Sequence, residues 1–228
     1  MLQWLVDAEC TKVSSFGSLT YFKEENAPVG SSDRCTTCSV ERDCTYSALK
    51  MYLNEKDEWP ANVVSLEPTY EKRLKGLEEG PYGRCVYRCD NDVVDHQVVN
   101  LLFDNEVTVA FTMTAFTNEI SRTFKIMGTK GEIRGDGFKN EIEIKYFSGK
   151  VERITPEKVE GGHDGSDTLI MEDFIKAVKE SDHNSTTSAM ISAKSHLIAF
   201  ASEESRLTGK TIDMKEYIDQ LNEKKSLV

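Results

Sequence analysis

The sequence predicts an α+β fold: a large, mostly antiparallel, open-faced sheet with helices packed on one face and the other face used for oligomerisation. Two observations carry this expectation. From Val93 to Gly135 the chain reads as three successive strands and the start of a fourth, with turn-forming residues between them. Two long helical segments follow the strands, TLIMEDFIKAVKE and a run from about Ser188 to Leu207.

Taken in order, residues 1–8 carry an apolar helical pattern with no N-cap residue, so the chain is expected to begin in the middle of an element. Lys12 to Phe22 is a strand anchored by Val13, Phe16 and Tyr21, and Lys23 to Asp33 is a loop. Cys35 to Cys44 leads into a short helix, YSALKMYLNE, and a charged helix spans about Thr69 to Leu77 before the Gly80-Pro81 break. In the central run Asp95, Gln97, Val99, Leu101 and Phe103 alternate with His96, Val98, Asn100 and Leu102, and Asp104-Asn105 supplies a turn. The next run, VTVAFTMTAF, is semi-apolar on both faces. One face is therefore expected under helices and the other against a partner subunit or domain.

Ser121 to Met127 is the third strand, and Gly128 to Gly131, GTKG, is a turn whose glycines are expected to take positive φ. Glu141 to Phe147 and Val151 to Ile154 are further strands. Asp167 is placed to cap the following helix, in which Leu169, Ile170, Phe174 and Val178 form a buried stripe. The last long helix takes Thr187 as its cap and Gly209 as its stop. TIDM is a short strand, and the remainder is a polar tail.

Composition removes several function classes. A formal charge of -11 leaves no clustered excess of Lys and Arg for a nucleic-acid groove or an anionic membrane surface. No apolar run approaches the roughly 20 residues of a membrane span, and no charged-then-apolar leader opens the chain. A cytoplasmic protein with neither nucleic acid nor membrane as partner is expected. Six cysteines then point to reduced thiols or a metal site rather than a disulfide framework.

Three constellations carry chemistry. Cys35, Cys38 and Cys44 form C-x-x-C-x5-C, a spacing that lets the first two thiolates chelate one ion, with zinc the expected metal and Cys10, Cys85, Cys89 or a histidine as fourth ligand. The alternative is a set of small buried thiols. His163, Asp164 and Asp167 lie in GGHDGSD at a helix N-terminus, where they would meet substrate hydroxyls or, more plainly, form an exposed capped turn. Arg88, Asp90, Asp92, Asp95 and His96 open the first central strand. Carboxylates there suit the paired hydroxyls of a carbohydrate, and an aspartate beside a histidine can assist proton transfer. A strand-edge salt-bridge network is the competing explanation. His196 reads as a packing or surface residue, and His183 as a solvated loop residue.

LQWLVDAE, GPYGRCVYRCDNDVVDHQ, FKIMGTKGEIRGD, the GGHDGSD loop before DFIKAV, and HLIAFASEESRLTGKTID together resemble the C-terminal domain of the Gfo/Idh/MocA oxidoreductases, the glucose-fructose oxidoreductase and inositol dehydrogenase family. The resemblance covers essentially all 228 residues. It implies that 1–228 form one C-terminal substrate-binding and oligomerisation domain, and that the parent enzyme binds NAD or NADP on an N-terminal Rossmann domain. No G-x-G-x-x-G following a strand and no Glu-Lys-Pro occurs here. The family's catalytic Asp and His would fall upstream of Met1, so no catalytic residue transfers and the chain alone is expected to be inactive and to hold no dinucleotide. The implied partners are a second copy, the Rossmann domain, and a sugar or polyol substrate. The family's loop of the GGHGG kind faces the cleft, whereas here Asp164 and Ser166 replace glycines; Lys130 in GTKG resembles a family hallmark. Two further function classes remain: a stand-alone binding or assembly module, and a fragment of an NAD-retaining glycosidase.

Overall fold

Strand β2 (His96–Phe103) shows how the sequence places the first sheet. Val99, Leu101 and Phe103 are buried while Val98 and Asn100 stay exposed, the period of two that a half-covered strand requires. The computed structural model describes residues 1–54, 58–67, 69–159, 161, 163, 165–180 and 188–225. Before β2 come α1 (Leu2–Val6), β1 (Cys10–Ser18), α2 (Ala48–Tyr52) and α3 (Tyr70–Glu79). After it come β3 (Thr108–Thr114), β4 (Thr123–Gly128), β5 (Gly131–Asp136), β6 (Glu141–Tyr146) and β7 (Val151–Ile154), then α4 (Ser166–Glu180), α5 (Ala189–Thr208), β8 (Ile212–Asp213) and α6 (Met214–Lys225).

The α+β class is borne out, and the antiparallel strands form two four-stranded sheets, ordered β3-β2-β1-β8 and β4-β5-β6-β7. The chain divides into two compact units: Met1–Ser14, Leu101–Val109 and Phe116–Val228 make one, Ser15–Asn100 and Ala110–Ala115 the other. No helix among the described residues is long and apolar enough to cross a membrane.

In the first unit, β4 to β7 form a meander with two unlike faces. Lys125, Arg134, Glu143 and Arg153 stand opposite one another across the four strands, and Glu132 bridges Lys125 and Arg134 at 2.9 and 2.8 Å. The alternate positions are Phe124, Ile126, Ile133, Ile142, Ile144 and Ile154, none of them buried. The GTKG turn differs from expectation: Gly128 and Gly131 pair with each other and neither takes positive φ. Gly131 is required instead by close approach, because a Cβ there would sit 2.2 Å from the Lys145 carbonyl oxygen.

Three helix expectations are corrected. Asp167 lies inside the first turn of α4 rather than capping it. Leu169, Ile170, Phe174 and Val178 are 52–64% exposed, because the described chain lays nothing over that face. The polar tail forms α6, opened by Asp213 Oδ1 accepting from the Lys215 and Glu216 amides. Gly209 ends α5 at φ 69 as expected, and Ser188 caps it by accepting from the Ile191 amide. Thr187 and His183 lie outside the described residues.

The second unit packs Leu77 of α3, Ala48 of α2 and Cys35 into one buried cluster, with Leu49, Tyr52, Leu53 and Val64 against it. Ser47 and Thr69 cap α2 and α3. The carbonyls of Leu77 and Gly80, at the end of α3, are taken by the Arg34 guanidinium, which satisfies acceptors that a helix terminus leaves open. Gly83 completes this packing, since a Cβ would fall 1.7 Å from the Leu77 carbonyl oxygen.

Candidate functional site

The most organised polar group is built on the second unit, where β1 ends and β2 begins. Asp95 precedes β2, and its side chain is 2% exposed while that of its neighbour His96 is 45% exposed. Its backbone amide donates to the Ser18 carbonyl and its carbonyl accepts from the Ala115 amide. The carboxylate accepts from the Thr20 amide at 2.8 Å, the Tyr21 amide at 2.7 Å and the Thr20 hydroxyl at 3.2 Å. His96 Nδ1 stands 2.7 Å from Asp95 Oδ1.

Burial works against the charge on Asp95, yet the Tyr21 amide, His96 and Thr20 together hold the carboxyl well below the usual carboxylate range. A buried carboxylate is tolerated only when such donors replace its water.

Beside this clamp lies an aromatic cluster that the sequence reading missed. The Tyr21 ring lies 5.4 Å from Phe22, 6.0 Å from Tyr46 and 5.6 Å from Tyr87. The Tyr87 hydroxyl donates to the Tyr21 hydroxyl at 3.3 Å. Burial, then that hydrogen bond, pushes the Tyr87 phenol up. The signal in the sequence is thin: four aromatic residues scattered among turns and cysteines.

Two other residues of the strand opening, Arg88 and Asp90, are engaged as ion pairs. Arg88 meets Glu24 at 2.6 Å, and Arg84 meets Asp90 at 2.7 Å. The structure therefore brings Asp95 and His96 together and gives Arg88 a different partner. His163 and Asp167 belong to the first unit. His163 takes φ 51, and its Nδ1 lies 3.0 Å from Asp167 Oδ1, with both side chains largely exposed. Asp164 lies outside the described residues. His196 is exposed on α5 and donates from Nδ1 to the Ser192 carbonyl.

The zinc expectation is corrected. Cys35, Cys38, Cys44 and Cys85 line one small cavity, yet among the described residues no group of three or more His, Cys, Asp or Glu could hold a metal ion. Cys35 is drawn into the apolar cluster with Ala48 and Leu77, and burial pushes its thiol up. Burial also pushes Cys10 up to about 11. All six cysteines are free thiols, so the small-hydrophobe reading holds for the buried ones.

With this geometry in view, the chain can be set beside known proteins. No family model matches it. A Bacillus subtilis (strain 168) protein named "Putative oxidoreductase YteT" is 22% identical over 197 residues, 77% of this chain and 44% of that protein. Among solved structures, an oxidoreductase domain protein from Kribbella flavida matches 93% of this chain and 46% of its own, with TM-score 0.55 and 14% identity. Levoglucosan dehydrogenase, in complex with NADH and levoglucosan, matches 92% of this chain and 46% of its own, with TM-score 0.53 and 16% identity. A super-repressor mutant of Gal80p from Saccharomyces cerevisiae matches 95% of this chain and 47% of its own, with TM-score 0.52 and 11% identity.

At these identities the likeness shows the fold alone: the chain has the fold of a part of each of these solved proteins. It spans about half the length of the curated relative it matches.

The Asp95 clamp makes stability depend on pH. A depressed carboxyl contributes stability that is present above its unfolded pKa, about 3.9, and is lost as pH falls toward the folded value. Urea midpoints are therefore expected to fall more steeply below about pH 4 in the wild type than in Asp95→Asn; parallel curves would refute the clamp. In thiol labelling with a disulfide reagent at pH 8, Cys38, Cys44 and Cys89 are expected to react before the buried Cys10, Cys35 and Cys85. Equal rates at all six would contradict this burial pattern.

Proposed function

We propose that the chain is the C-terminal substrate-binding and oligomerisation domain of an NAD- or NADP-dependent sugar or polyol oxidoreductase, acting in the cytoplasm and inactive on its own. The carrying observation is that 92% of the chain shares its fold with 46% of an NADH- and levoglucosan-bound dehydrogenase. Shared fold supports this activity by analogy with that dehydrogenase. In the whole enzyme a Rossmann domain would hold the dinucleotide, and hydride would pass between the nicotinamide and a secondary carbinol carbon. This chain would supply hydroxyl ligands, each unit taken by itself: His96, held by Asp95, and Arg88 on the second unit, and His163 and Asp167 on the first.

Oligomerisation through an open sheet face is the second part of the proposal. It is supported by the β4–β7 face, where Ile126 and Ile154 are 38% and 45% exposed among further isoleucines. The competing class, a non-catalytic binding or assembly module, draws on the same fold in Gal80p, whose solved form is described as a super-repressor mutant. The reading frame separates the two: an upstream in-frame Rossmann sequence belongs to the enzyme, a separate start to the module.

Titration calorimetry with NADH against the isolated chain is expected to give no heat of binding, and saturable micromolar binding would end the proposed division of labour. Static light scattering is expected to report twice the chain mass, reduced to one chain mass by Ile126→Glu. A wild-type monomer would remove the oligomerisation part.

A further inference from the structure

The Asp95–His96 pair carries more than a hydrogen bond. Asp95 is ionised, so its oxygens only accept, and the hydrogen shared with His96 must reside on Nδ1. A neutral imidazole with Nδ1–H leaves a lone pair on Nε2. Among the described residues Nε2 makes no hydrogen bond, although the ring is 45% exposed.

Asp95 itself cannot turn away to follow a ligand. Its other bonds, to the Thr20 and Tyr21 amides and the Thr20 hydroxyl, use the rest of its accepting capacity. They also tie it to the end of β1. A carboxylate whose only task was to fasten that strand end would be satisfied by those donors. Adding an imidazole of a half-exposed side chain gives that ring one orientation and one tautomer, the role an outer carboxylate plays for a working histidine.

We propose that Asp95 is a positioning residue that holds His96 as the Nδ1–H tautomer, so that Nε2 stands as an uncharged acceptor for a hydroxyl of a sugar or polyol. The ligand class rests on the proposed function above; the tautomer does not. The aromatic cluster that begins at Tyr21, whose amide the same carboxylate holds, offers apolar ring surface of the kind that sugar C–H faces favour.

The test uses the full chain labelled with 15N in its histidine rings. Long-range 1H–15N correlation at pH 8, with His96→Gln for assignment, is expected to show Nδ1 protonated and Nε2 bare. An Nε2–H form, or an even mixture, overturns the proposal. In Asp95→Asn the side-chain amide can donate, and the ring is expected to switch to Nε2–H; retention of Nδ1–H there would show that Asp95 does not set the tautomer. Should that variant fail to fold, the wild-type spectrum still decides.

Saturation-transfer NMR with myo-inositol, glucose and levoglucosan reads the ligand half. Binding is expected to weaken about tenfold in His96→Phe, whose side chain offers no nitrogen or oxygen acceptor, the loss of one good hydrogen bond. Equal binding by wild type and His96→Phe overturns the acceptor role while leaving the sugar-domain reading intact. No binding of any of the three by wild type overturns both the ligand class and that reading, whatever the tautomer.

Discussion

One buried carboxylate organises the end of the β1-β2-β3 ladder. Asp95 takes the Ser18 carbonyl through its amide, the Ala115 amide through its carbonyl, and the Thr20 and Tyr21 amides through its side chain. Residues from three stretches of chain, far apart in sequence, are thereby held by one residue. The arrangement is self-consistent because each part removes a cost of another. The amides leaving β1 have no ladder partner and need an acceptor, and the carboxylate leaving water needs donors. An apolar residue at 95 would leave those donors unpaired, which is costlier than losing any single bond.

Much of the architecture was legible because it depends on short-range pattern. Alternation in β2 separated Val99, Leu101 and Phe103 from Val98 and Asn100, and it is the first set that the structure buries. Turn chemistry at Asp104-Asn105 and Gly128–Gly131 marked two hairpins. Failures came where long-range contacts decide. That Gly131 is needed for its approach to Lys145 on the neighbouring strand is a property of the pairing, and local sequence named the glycine for the wrong reason. Composition read α6 as a tail because its polar face dominates, although Asp213 supplies the donor-satisfying cap that starts it.

The candidate site divides along the same line. Asp95 and His96 are neighbours in sequence, so their pairing was open to a local reading, whereas Thr20 and Tyr21 reach them from some 75 residues away. Arg88 was grouped with them by proximity in sequence, but Glu24 claims it. The cysteines show the reverse error. C-x-x-C spacing describes what two thiolates can do if both face one point, yet Cys35 follows its apolar side into the Leu77 cluster. A protonated, desolvated thiol is a core atom before it is a ligand.

Helical periodicity has a limit of its own, and α4 exposes it. Leu169, Ile170, Phe174 and Val178 repeat as a core-facing stripe should, and Met171 and Ile175 widen it. All six are nevertheless 46–64% exposed. The pattern correctly reports that this helix has a face water disfavours; it is silent about which surface completes that face. The isoleucines of β4–β7 pose the same question on a sheet, with a charge ladder on the other side to keep that side in water. In both elements the period of the sequence fixes which face water disfavours, because the apolar residues share one side and the charged ones the other; what covers that face is set by contacts that periodicity does not encode.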